Sequence, residues 1–141
     1  MYTKRAFSVF MILVTIITIA SFGMAEEPVP PGGPVDFTYI NSAAASLSFS
    51  GNTARAAGKI TPYDHRRTSV TVRLQKSSNG TSGWSTIGTW TGSNPSGIST
   101  AAGTKSVSTG YYYRVRTTGK VYDSSGNVLE TVVKTTSVRY H

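Results

Sequence analysis

The 141-residue sequence contains no cysteine. That excludes disulfide staples, thiolate metal ligands, a cysteine nucleophile and a lipid-modified cysteine at a cleavage site. Histidine is nearly absent too, with only His65 and His141, and acidic residues number 6 against 14 Lys and Arg. A hydrolytic triad needs a base oriented by a carboxylate beside a nucleophile. Asp64 and His65 are adjacent, so on an extended chain their side chains diverge. Asp36, Asp64, Asp123 and Glu130 stand in separate segments, with no spacing that suggests a glycosidase pair. Asp123-Ser124-Ser125-Gly126-Asn127 has calcium-type residues but lacks the acidic closing ligand of an EF-hand loop, and reads as a tight turn. A non-enzymatic chain with no metal and no cofactor is therefore expected.

Long helical patterns are also missing. Ala43-Ala44-Ala45 is the one helix-friendly run, and it is too short to stand alone. Apolar length is concentrated at the start, where Lys4 and Arg5 precede the run Ala6–Ala20. Gly23 and Ala25 then place small residues before Glu26. Positive, apolar, small-x-small is the order of a signal peptide, expected over residues 1–25. Residues 26–35 follow as a Pro/Gly-rich spacer that cannot pack. A secreted protein is expected, extracellular or loosely held at the cell surface, with no transmembrane segment after cleavage. Avoidance of cysteine by an exported chain suggests a Gram-positive producer. The formal net charge of +8 falls to +6 once Lys4 and Arg5 leave with residues 1–25, and it favours anionic neighbours and equally serves solubility.

What remains, residues 36–141, is rich in Thr, Ser, Val and Tyr and alternates with a period of two. Phe37 and Tyr39 predict a first short strand, and Leu47 and Phe49 a second. Ala54, Ala56, Gly58 and Ile60 alternate with small residues, as where two sheets approach closely. Val70, Val72 and Leu74 mark the clearest strand. Asn79-Gly80 lies in a polar turn before the returning strand Trp84–Thr91. A weaker strand spans Ile98–Ser108, with a break expected at Ala102-Gly103. Tyr111, Tyr113, Val115 and Thr117 form another, and Val128–Tyr140 a long last one. Seven or eight strands with turn signals every 8–12 residues predict an all-β, antiparallel two-sheet sandwich.

The segment Val107-Ser108-Thr109-Gly110-Tyr111-Tyr112-Tyr113-Arg114-Val115-Arg116 resembles the approach to strand F of fibronectin type III and immunoglobulin-like domains. The resemblance gives Tyr113 the role of the tyrosine corner, with its hydroxyl bonded back to nearby backbone, and turns Val115 into the core. Val70–Ile87 is similar to the C to C′ hairpin of such domains, although the strand of Leu47 and Phe49 lacks the family's usual Trp. The whole chain, with its W…W hairpin and GYYYRVRTTGKVYDSSG stretch, resembles small secreted uncharacterised proteins of clostridial-type Firmicutes. That likeness implies source, export and fold.

Two binding surfaces are conceivable. Trp84 and Trp90 differ by six positions and so should share one strand face. Exposed, they would stack on sugar rings as in a carbohydrate-binding module; buried, they would cap the core. The second surface follows from parity. With Val70, Val72, Leu74, Tyr113 and Val115 inward, Arg73, Gln75, Tyr112, Arg114 and Arg116 point outward. The resemblance makes their strands, C and F, neighbours in one sheet. Lys134 would join from the last strand, whose phase is open because Leu129 and Val133 favour one parity and Val132 and Val138 the other. Such a guanidinium array suits an anionic wall polymer or an acidic protein surface; nucleic acid is not expected. A plain solvated sheet face is the competing reading. An antagonistic protein, a bacteriocin or small toxin, is the alternative that size, export and charge allow.

Overall fold

The computed structural model describes residues 36–141, so the expected signal peptide (1–25) and spacer (26–35) lie outside the described residues. The described chain contains no helix. Its strands are β1 (Ile40–Ser50), β2 (Thr53–Pro62), β3 (Thr68–Ser77), β4 (Ser85–Asn94), β5 (Ser99–Ser106), β6 (Tyr112–Tyr122), β7 (Val128–Thr135) and β8 (Arg139–Tyr140). One sheet has the order β1-β2-β5; the other has β4-β3-β6-β7, with β8 also paired to β6. Every pairing is antiparallel. The expected two-sheet sandwich is what the chain forms.

Period-two patterning builds the interior. Val70, Val72 and Leu74 of β3 and Tyr113, Val115 and Val121 of β6 are buried against Ala54, Ala56 and Ile60 of β2. The small residues of β2 let the sheets close up. A Cβ on Gly58 would come within 2.6 Å of both Thr117 and Val72, so only glycine admits those two side chains at this depth. Ala43–Ala45 lies inside β1, where Ala43 and Ala45 turn toward the core opposite Ile60 and Gly58. Sheet pairing overrides a local helical preference too short to nucleate.

Strand boundaries differ from the sequence reading at several places. Phe37 and Tyr39 precede the first strand, which runs unbroken from Ile40 through Leu47 and Phe49 to Ser50. The Glu130 carboxylate accepts the amides of Thr38, Tyr39 and Ile40 at 2.9, 2.9 and 2.8 Å, which fixes this entry to β7. No break occurs at Ala102-Gly103, since β5 pairs with β2 without a register shift. The long last strand, in contrast, divides. Thr136 gives its N–H to the Val115 carbonyl (2.9 Å), and its hydroxyl accepts the Val115 N–H (2.9 Å). A side-chain oxygen thus replaces a carbonyl of the ladder, and pairing resumes only at β8.

Candidate functional site

The outer face of β3 and β6 is set by their register. Arg73 lies opposite Arg116, Gln75 opposite Arg114, and Ser69 opposite Lys120. Directly paired residues share a face. Their neighbours on that face alternate with Val72–Thr117 and Leu74–Val115, which are buried between the sheets. Arg73, Arg114, Arg116 and Lys120 therefore stand on one surface. Lys120 was missing from the sequence reading because the strand was expected to stop near Thr117. The signal was present: positions 114, 116, 118 and 120 continue one parity through β6.

Lys134 does not join them. It pairs with Thr117, a buried residue of the interior parity, while Thr135 is the residue opposite Arg116. Val132, 3 % exposed and opposite Gly119, settles the phase that Leu129 and Val133 had left open. The only acidic residue of β3, β4, β6 and β7 is Glu130, which lies opposite buried Val121 and so belongs to the interior parity. The outward positions of these four strands accordingly carry basic and neutral side chains only.

Accessibility differs along the row. Arg73, Arg114 and Lys120 are partly exposed, whereas Arg116 is 5 % and Gln75 3 % exposed. Arg114 is held in place: its Nε donates to Gln75 Oε1 at 2.8 Å, and its guanidinium lies 4.2 Å from the centre of the Trp84 ring. Gln75 in turn donates to Thr86 Oγ1 at 3.4 Å. Tyr112 ends the row, its ring 5.0 Å from that of Tyr140. Stacking on an indole orients the guanidinium plane.

The two tryptophans are not a platform. Leu74 faces Gly88 but Gln75 faces Thr86, so Ile87 is an extra residue in β4. A one-residue bulge inverts side-chain parity beyond it. Trp84 thus lies on the outer face against Arg114, whereas Trp90, opposite Val72, packs against the core. A Cβ on Gly103 would collide with the Trp90 ring. The spacing of six that should have aligned the indoles fails because one of the intervening residues is bulged out.

Tyr113, fully buried, donates its hydroxyl to the Ser108 carbonyl at 2.6 Å. Burial is the larger influence on its phenol, and it raises the pKa above 10.0. At the opposite end of the β3–β6 pair, His65 borders a cleft that contains one carboxylate, Asp123. Asp123 accepts the amides of Ser125 (2.9 Å) and Asn127 (2.8 Å) and the Asn127 side chain (3.1 Å). The Asn127 amide leads in holding this carboxyl below its ordinary range. Its oxygens are committed to the turn. Among the described residues no cluster of His, Asp or Glu is arranged to hold a metal ion. Comparison of the chain with protein-family models and with curated proteins gave no match.

Proposed function

We propose that this is an exported, non-enzymatic binding domain that engages an anionic wall polymer or acidic protein surface through the outer face of β3 and β6. The observation that carries the reading is the cross-strand placement of Arg73 opposite Arg116, flanked by Arg114 and Lys120. Basic side chains spaced linearly along two neighbouring strands suit a chain of phosphates or carboxylates. Export rests on the sequence pattern of residues 1–25. A fibronectin type III-like classification is supported by the strand order β1-β2-β5 facing β4-β3-β6-β7 and by the Tyr113–Ser108 hydrogen bond.

The test is retention of residues 36–141 on immobilised poly(glycerol phosphate). Wild-type protein is expected to bind, and the triple variant R73Q/R114Q/K120Q to elute at clearly lower salt. Binding should weaken as ionic strength rises, since the Debye length is about 10 Å at 0.1 M. Retention indifferent to both salt and the three substitutions would overturn the reading. Arg116 is left intact because its burial makes its loss a structural as well as an electrostatic change.

A further inference from the structure

We propose that the cleft between the β2–β3 connection and the β6–β7 turn is a separate site for a small oxyanion, a phosphate or carboxylate group. The cleft encloses about 370 Å³ and is lined by His65, Arg66, Arg67 and Pro95 on one side and Tyr122, Asp123, Ser124 and Gly126 on the other. That volume falls within the range of about 300–1,000 Å³ usual for small-molecule pockets. Two arginines and a histidine face a single carboxylate. Asp123, as described above, spends its oxygens on the amides of its own turn.

The arginines are positioned by more than surface chance. The Arg66 carbonyl accepts the Gly97 N–H, and the Arg67 carbonyl accepts the Tyr122 N–H, each at 2.9 Å. These bonds tie the connection to both neighbouring loops. The Arg67 guanidinium lies 5.1 Å from the centre of the Tyr122 ring, with no ion-pair partner among the described residues. Arg66 lies 4.8 Å from the Tyr39 ring, and its buried Nε has no hydrogen-bond partner among the described residues. Its pairing with Asp64 is long, 3.6 Å, and Asp64 is 68 % exposed, so solvent screens it. Gly126 adopts φ +87°, and a side chain there would stand 3.9 Å from Arg67 Nη1, inside the cleft. Two oriented guanidinium groups, with Arg67 lacking an ion-pair partner among the described residues, form beside the Asp123 turn a receptor for oxygen atoms bearing negative charge.

Titration of inorganic phosphate at constant ionic strength, followed by amide chemical shifts, tests this. Saturable shifts at Tyr122, Ser124 and Gly126 are expected. The variant R66Q/R67Q should bind about tenfold or more weakly, because charge-assisted hydrogen bonds are lost. R66K/R67K, which keeps the charge but not the fork, serves if the glutamine variant unfolds, and it too should weaken binding. A parallel acetate titration separates carboxylate from phosphate as the preferred group. The R73Q/R114Q/K120Q protein should bind phosphate like wild type, so failure here and failure of the sheet-face reading are distinguishable. Shifts that do not saturate, that survive both arginine variants, or that centre on Arg73 and Arg114 would overturn the proposal.

Discussion

Thr117 shows how much a single side chain can decide. Its hydroxyl is buried, 1 % exposed, with no hydrogen-bond partner among the described residues. It lies where a Cβ on Gly58 would touch it, so the two sheets meet around this residue. A buried, unpaired hydroxyl costs free energy that a methyl does not. Thr117→Val is therefore expected to stabilise the domain by about 1 kcal/mol, read from the midpoint of urea unfolding. Tyr113 is the converse case, a buried hydroxyl that is paired. Because its folded pKa is raised above 10.0, the unfolded state loses its proton first as pH rises. Stability from this group is complete below pH 10 and declines above it. Tyr113→Phe should cost about 1 kcal/mol at neutral pH through the lost bond to Ser108, and should flatten the alkaline decline relative to wild type.

At the scale of an element, β4 is the informative strand. The extra residue at Ile87 sends Trp84 outward and Trp90 inward. The two indoles thereby gain unrelated roles: one orients Arg114, the other fills the space over Gly103. Gly103→Ala puts a methyl into the Trp90 ring, and overpacking of this kind costs about 1–3 kcal/mol. Near-ultraviolet circular dichroism should report a displaced indole at the same time. An unchanged melting temperature and spectrum would mean that Trp90 does not occupy this position. Neither the bulge nor its consequence can be read from the letters WSTIGTW, since a bulge is a relation between two strands and leaves no mark in one. Lys134 teaches the same point from β7. Valines at 132 and 133 satisfy both phases of the alternation, and only pairing with Thr117 and Gly119 chose between them.

For the molecule as a whole, the two proposed anion sites draw on different basic residues. Arg73, Arg114 and Lys120 line the broad outer face, while Arg66 and Arg67 stand at the cleft beyond the ends of the strands. The two regions stand on different segments, so the effects of substitutions on anion binding are expected to add. A double-mutant comparison of R67Q with R73Q, in the phosphate and polymer assays described above, would measure any coupling.

The sequence by itself determined the strand class and the inward faces of the central pair. Val70, Val72, Leu74, Tyr113 and Val115 alternate so strictly that one-residue slips would expose them all. It also determined that Arg114 and Arg116 share a face, because parity within one strand is a local property, while the pairing of β3 with β6 brought Arg73 beside them. Tertiary structure alone decided that Arg116 is buried, that the tryptophans part company, that Lys120 replaces Lys134 and that Arg66 and Arg67 meet the Asp123 turn. Those outcomes depend on register, bulges and the meeting of distant loops, which arise from contacts between segments and are encoded in no single stretch of chain.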